Sequence, residues 1–140
     1  MTKKILVAID LEDEALTEKM LRTAGEIAGL YNAQVTLVHV GVKLPPDVAT
    51  HLPEDFQHRM SAELTNQLNK LAESLKLPSE GTQVSVRHGP IYREILAQAE
   101  ADDTDLIIIG CHKPDAADFL LGSNAAKVSR HAACSVYMVR

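Results

Sequence analysis

Two short, uninterrupted apolar runs constrain the fold of this chain more than any other feature of its sequence. Residues 5–9 are all apolar and are followed by Asp10, and residues 106–109 are all apolar and are followed by Gly110. Apolar runs of this length, without alternation, are typical of strands buried on both faces of a parallel sheet. We therefore expect these two segments to be the central pair of strands.

The rest of the chain alternates between helix patterns and strand patterns. Helical spacing of apolar residues predicts helices over 13–30, 56–77, 91–101 and 122–131, and the segments 34–40, 82–88 and 135–140 are predicted strands. The segment 41–53 contains Pro45, Pro46 and Pro53 and has neither periodicity, which predicts a loop. Strands that alternate with helices pair in parallel through right-handed crossovers. The sequence thus predicts an α/β fold, an open five-stranded parallel sheet with helices on both faces.

Length, charge and residue types exclude several classes of protein. A chain of 140 residues is expected to form a single domain over 1–140. A net charge of -5 argues against nucleic-acid binding, which draws on clustered Lys and Arg. No segment has the length of a signal peptide's apolar region or of a membrane span, which favours a cytoplasmic protein without membrane insertion. The cysteines and histidines lack metal-ligand spacing, so no metal site is predicted.

The ends of the two apolar runs define the candidate site. In open α/β sheets ligands bind beyond the carboxyl ends of the strands, where the winding reverses, and Asp10 and Gly110 stand at such ends. Gly122, Ser123 and Asn124 open the last predicted helix, where free N–H groups and the positive end of the helix dipole favour an anion. The alternative is that Gly122 and Ser123 form only a loop end and a helix cap.

Residues 110–124 resemble the nucleotide-binding signature of the universal stress protein family, G-x2-G-x9-G-[ST]. The matching residues are Gly110, Cys111, His112 and Lys113, then eight residues, then Gly122, Ser123 and Asn124. The resemblance also includes the first strand, which ends in Asp10, and the tail 131–136, so it spans the whole chain. The residues are similar to those of the single-domain F/G-type branch. Lys113 stands where the family has its second glycine, and the spacer is one residue shorter. The resemblance therefore implies adenosine binding more directly than triphosphate binding.

The resemblance implies a Rossmann-like, adenine nucleotide alpha hydrolase-like fold with strand order 3-2-1-4-5. It assigns Asp10 to the adenine amino group, and Val38 and Val40 to the adenine pocket. The nucleotide-binding residues that it implies are Ala8, Asp10, Val38, Val40, Ile109, Gly110, His112, Lys113, Gly122, Ser123 and Asn124. The alternatives are an Asx turn at Asp10, ordinary strand positions for the two valines, and a solvated loop for His112 and Lys113.

The resemblance implies a stress-response regulator that binds ATP or another adenine nucleotide, such as AMP, with Mg²⁺ only alongside ATP. A slow ATP hydrolase or phosphotransferase that uses Lys113 and Ser123 is the alternative, and a ligand-free interaction module is a third. The sequence contains no Walker A, G-x-G-x-x-G or G-x-S-x-G motif, and no catalytic residue is predicted.

The segment 135–140 is predicted to be an edge strand, because apolar side chains there accompany backbone groups that need a partner. A second copy of the chain is the expected partner, paired antiparallel across a two-fold axis. The resemblance implies the same homodimer. The alternative is a monomer whose edge is blunted by Arg140.

Overall fold

The computed structural model describes residues 2–41, 43–75, 77, 79–111 and 122–140, with the backbone alone at residue 79. Five strands and the helices between them alternate along these residues. In chain order the elements are β1 Lys4–Ala8, α1 Glu14–Tyr31, β2 Gln34–Gly41, α2 Pro46–Ala49, α3 Phe56–Ser74, β3 Thr82–His88, α4 Ile91–Ala101, β4 Leu106–Gly110, α5 Ser123–His131 and β5 Ser135–Val139.

The strands form one five-stranded sheet in the order β3-β2-β1-β4-β5, and all four pairings are parallel. The predicted fold class and strand order are therefore confirmed. The two apolar runs are neighbours at the centre, and β3 and β5 are the edges, as expected. The winding reverses between β1 and β4, so the cleft expected in such a sheet lies at the carboxyl ends of these two strands.

Burial on both faces explains why the central strands are continuously apolar. Leu6 and Val7 are successive residues that point to opposite faces, and both are 0% exposed. Val7 packs in a cluster with residues of α1 and with Leu68 of α3, and Leu6 packs in a second cluster with residues of α4 and α5. We call these the α1/α3 face and the α4/α5 face. Truncation of either side chain to Ala would cost about 2–5 kcal/mol.

The ends of α1 are fixed by its flanking residues. Asp13 is the N-cap, and its carboxylate accepts a hydrogen bond from the Leu16 N–H at 3.1 Å. Asn32 ends the helix in the left-handed conformation, at φ 52, and its N–H bonds to the Ala28 carbonyl. The predicted bounds 13–30 therefore lie within one residue of the observed helix. In the part of the chain that the structure describes, no helix is long and apolar enough to cross a membrane.

Two sequence predictions are wrong at their boundaries. The predicted loop 41–53 contains the short helix α2, in which Pro46 occupies the first position, where a missing N–H costs nothing. The helix predicted over 56–77 ends at Ser74. Leu75 and Leu77 continue the apolar spacing because both pack against the α1/α3 face from the chain that follows the helix.

Candidate functional site

Three of the predicted site residues lie side by side in the sheet. Ala8 of β1 is in register with Val38 of β2 and with Ile109 of β4, and all three belong to the α4/α5 face. Val38 and Ile109 are buried, whereas the smaller Ala8 is partly exposed between them. Val40 lies on the same face, two residues beyond Val38 toward the carboxyl end of β2, and is also partly exposed. Together these four residues form an apolar floor at the carboxyl ends of the strands.

Asp10 follows this floor and closes the turn between β1 and α1. Its Oδ1 accepts the Glu12 N–H at 2.9 Å. This hydrogen bond forms the Asx turn that the sequence analysis gave as the alternative role of Asp10. Its carbonyl oxygen accepts the Thr17 hydroxyl at 2.7 Å and the Asp13 N–H at 3.3 Å. A carboxylate has about four lone-pair sites, so the turn is compatible with a second role in binding a ligand.

A histidine that sequence reasoning did not assign to the site anchors the end of β1. His39 Nδ1 lies 3.0 Å from the carbonyl oxygen of Ile9, and the Ile9 N–H donates to the Val38 carbonyl at 2.8 Å. Ile9, the residue before Asp10, is therefore held at both its backbone N–H and its backbone C=O. No local pattern in the sequence indicates this bond, because it joins residues 30 positions apart.

Gly110 contacts the opposite face of the sheet. A Cβ at this position would lie 2.5 Å from Leu16 Cδ2 and 3.2 Å from Met20 Sδ, both on α1. Close packing of α1 against β4 therefore accounts for the glycine. Its predicted role in nucleotide binding stays a prediction, and any such role would use its backbone.

The start of α5 lies beside the apolar floor. Gly122 is the N-cap, and because it has no side chain it makes no side-chain capping hydrogen bond. Its carbonyl accepts the Ala126 N–H at 2.9 Å. Ala125 and Val128 fix the helix by packing in the same cluster as Ile109. The exposed Ser123 and the half-buried Asn124 occupy the first turn. The free N–H groups of this turn and the positive dipole end make it an anion-binding geometry.

The described residues around Gly122 do not require a glycine at this position. Its φ of -48 is open to any residue, and a Cβ there would meet nothing within 4 Å among the described residues. Gly110, by contrast, is required by packing. An open glycine at a helix start leaves room for a group to approach the backbone closely.

An ion pair borders the floor at the edge strand β3. Arg87 is in register with Val40, and its Nε donates to Glu94 Oε2 of α4 at 2.8 Å, with both side chains about one-third exposed or less. Gly89, at φ 139, lets the chain turn beneath Glu94, whose Oε1 would lie 2.9 Å from a Cβ. The pair fixes the β3–α4 connection at the rim of the site.

His112 and Lys113 lie outside the described residues, so their predicted roles stay predictions. Among the residues that the structure does describe, no group of three or more His, Cys, Asp or Glu side chains is placed to hold a metal ion. Cys111 and Cys134 are both free thiols, and burial raises the pKa of each. The site therefore offers an apolar floor, a carboxylate and a helix N-terminus.

An open parallel sheet wound in both directions, with its cleft at the reversal, defines the doubly wound α/β class of protein. The sequence matches the model of the Universal stress protein family over residues 1–140, and the chain belongs to this family. Universal stress protein A homolog 2 of Coxiella burnetii is 35% identical over 152 residues, which cover 99% of this chain and 94% of the relative. Universal stress protein G of Salmonella typhimurium is 27% identical over 146 residues, which cover 100% of both.

Solved structures share the fold over nearly the whole chain. The universal stress protein UspA from Lactobacillus plantarum has a TM-score of 0.79 at 20% identity, over 99% of this chain and 98% of that one. A universal stress protein in complex with cAMP has a TM-score of 0.73 at 20% identity, over 99% and 97%. The universal stress protein from Archaeoglobus fulgidus in complex with dAMP has a TM-score of 0.65 at 23% identity, over 99% and 98%.

Proposed function

We propose that this protein binds an adenine nucleotide, ATP or AMP, at the carboxyl ends of β1, β2 and β4, and that the bound nucleotide regulates a dimer surface or a partner contact. Two proteins of the same fold in complex with cAMP and dAMP support an adenine nucleotide as the class of ligand. The observation that carries the proposal is Gly122, a glycine at a helix start beside the apolar floor that no described residue crowds.

In this proposal the adenine ring lies against Ala8, Val38, Val40 and Ile109, and its amino group donates to the carboxylate of Asp10. Guanine presents a carbonyl oxygen where adenine presents its amino group, so the same carboxylate would repel it. The phosphate lies at the N–H groups of Ser123 and Asn124, where the helix dipole favours negative charge. His112 and Lys113 contact the phosphate from the preceding loop, and Lys113 contributes a positive charge there. Gly110 contributes only its backbone.

We further propose a cytoplasmic homodimer that forms through β5. The strand is an edge of the sheet, and Tyr137 at its middle is 48% exposed. An unpaired edge with exposed apolar surface is a liability that a second copy would remove by antiparallel pairing.

The test begins with protein purified under mild conditions and the mass spectrum of any nucleotide that it releases. Titration calorimetry then compares AMP, ATP and GTP, with Mg²⁺ present and absent. Adenine nucleotides that bind more tightly than GTP are the expected result, and equal affinity for ATP and GTP would contradict the proposal. Single-turnover incubation with ATP separates a regulator, which leaves the ATP intact, from a slow hydrolase or phosphotransferase that acts through Lys113 and Ser123.

A further inference from the structure

A second cleft lies on the α1/α3 face, away from the apolar floor. It opens between residues 14, 17, 18 and 21 of α1 and residues 67, 70, 71 and 74 of α3, with Asp10 and Leu11 at one end, and has a volume of about 370 Å³. On each helix the four positions follow the spacing i, i+3, i+4 and i+7, so each wall is one continuous stripe. The volume falls in the range of about 300–1,000 Å³ that is usual for small-molecule sites.

The surface of this cleft is mostly apolar. Leu11, Leu21 and Leu71 contribute to its lining, and all three also pack with the core of the α1/α3 face. Their positions are therefore fixed by the fold. A ligand with an apolar body could bury that body here without a rearrangement of the core.

The two hydroxyl groups of the cleft offer hydrogen-bond acceptors rather than donors, whereas Gln67 and Lys70 carry N–H donors on the α3 wall. The Thr17 hydroxyl donates to the Asp10 carbonyl at 2.7 Å, and the Ser74 hydroxyl donates to the Leu71 carbonyl at 2.6 Å. Both hydroxyl protons are therefore committed, and only oxygen lone pairs remain for a ligand. The Glu14 carboxylate makes no hydrogen bond or ion pair with any residue that the structure describes, and it adds further acceptors.

Negative charge predominates on the α1 wall. Glu14 and Glu18 are one turn apart. Among the described residues, Glu18 pairs with Arg22 alone, at 3.3 Å and largely exposed to solvent, which is a weak interaction. The dipole of α1 contributes about half a positive charge at its start, less than the two carboxylates together. Among the described residues that line the cleft, Lys70 is the one cation, and it lies on the other wall.

We propose that this cleft binds a small amphipathic amine, whose apolar body lies against the three leucines and whose ammonium group lies between Glu14 and Glu18. Charge complementarity selects the cation, and the acceptors on the α1 wall match a group that has only donors. The inference does not depend on the proposed nucleotide function, because the leucines and glutamates that carry it lie on the α1/α3 face, although Asp10 borders both sites.

The test uses three probes with one phenylethyl body and different charges: 2-phenylethylamine, L-phenylalanine and 3-phenylpropanoate. Methyl NMR of the full chain follows Leu21 and Leu71 during each titration. The amine should shift both residues saturably at the lowest concentration, the zwitterion should bind more weakly, and the anion should bind least. Binding of the anion as tightly as the amine, or no saturable shift with the amine, would overturn the proposal.

Variants then test the charges themselves. A Glu14→Gln/Glu18→Gln protein should bind the amine about fivefold more weakly, since exposed ion pairs contribute little individually. Lys70→Gln should bind it more tightly, and Glu26→Gln, on the same helix but outside the cleft, should bind as the wild type does. Unchanged affinity in the double variant would contradict the proposal.

Saturating AMP should leave the Leu21 and Leu71 shifts in place. Amine-induced shifts that instead fall on Val38 and Ile109 would assign the amine to the nucleotide cleft and overturn the proposal.

Discussion

His39 of β2 donates a hydrogen bond from Nδ1 to the carbonyl oxygen of Ile9, at 3.0 Å, and so joins the carboxyl ends of β1 and β2. A carbonyl oxygen can only accept, so Nδ1 carries the proton, and in the neutral ring Nε2 is the acceptor. Ile9 directly precedes Asp10. The bond therefore fixes the backbone from which the carboxylate of Asp10 projects.

Loss of this bond should weaken both the fold and nucleotide binding. His39→Leu removes the partner of a buried carbonyl and should lower the free energy of unfolding by about 1–3 kcal/mol. His39→Asn, whose amide nitrogen takes the place of Nδ1, should retain most of it. Urea unfolding and AMP titration of both variants test this prediction. Wild-type affinity in a folded His39→Leu protein would exclude a role for His39 in positioning Asp10.

Replacement of Asp10 should weaken adenine nucleotides selectively. Asp10→Ala removes a charged acceptor, which should cost about 1.5–3 kcal/mol in AMP or ATP binding. It also removes the Asx turn to Glu12. Asp10→Asn is the matched control, because its side-chain oxygen can still accept the Glu12 N–H while the negative charge is lost. Calorimetry that found AMP and GMP weakened equally would contradict the adenine assignment.

Gly122→Val should abolish phosphate binding without unfolding the protein. The described neighbours leave space for a side chain, and the φ of -48 is accessible to valine, so the fold should tolerate the change. The valine methyl groups would occupy the approach to the first N–H groups of α5. Gly122→Ala serves as the graded control, with a smaller loss. If AMP affinity is unchanged in a folded Gly122→Val protein, the phosphate does not bind at this helix start.

Sequence patterns predicted the elements and their order because burial leaves a local signature. The continuous runs at β1 and β4 reflect strands covered on both faces, and the alternation of Val84 and Val86 with polar residues correctly indicated an edge strand. Asp13 is both a favourable residue for a helix start and the observed N-cap. These features depend on neighbours within one element.

Features that depend on contacts between elements were not predictable in this way. The His39–Ile9 bond, the Thr17–Asp10 bond and the packing of Leu16 over Gly110 each join residues from different parts of the fold. The cleft between α1 and α3 requires the relative placement of two helices, which periodicity does not specify. For α2, three prolines favoured a loop, although Pro46 fits the first turn of a helix.

Asp105 should make the fold sensitive to acid. Its carboxylate accepts the N–H groups of Lys3 and Lys4 at 2.9 and 3.0 Å, and these hydrogen bonds hold the pKa of Asp105 below its usual value. The stabilisation is present above the unfolded pKa of about 3.9 and is lost as the pH falls through the lower folded pKa. The Tm difference between wild type and Asp105→Asn should therefore shrink from pH 6 to pH 2. Asp103→Asn, an exposed control, should show no such trend.

The structure sharpens the test of the dimer at β5. The Val139 carbonyl accepts the Cys111 N–H at 2.7 Å, so the backbone polar groups of Val139 face β4. Because the N–H and C=O groups of successive residues point to opposite sides of a strand, those of Val136 and Met138 point to the outer edge of the sheet. The side chains of Val136 and Met138 pack against the α4/α5 face, so charged substitutions there would disturb the subunit itself.

Met138→Pro removes one outward N–H and leaves the hydrogen bonds to β4 in place, since proline is tolerated where the N–H of an edge strand faces outward. The variant should remain folded and become monomeric at micromolar concentrations at which the wild type is a dimer. Met138→Leu keeps the N–H and should remain dimeric. Sedimentation equilibrium measures all three proteins, with circular dichroism to confirm folding. A monomeric wild type, or a dimeric and folded Met138→Pro protein, would contradict antiparallel pairing of the two β5 strands.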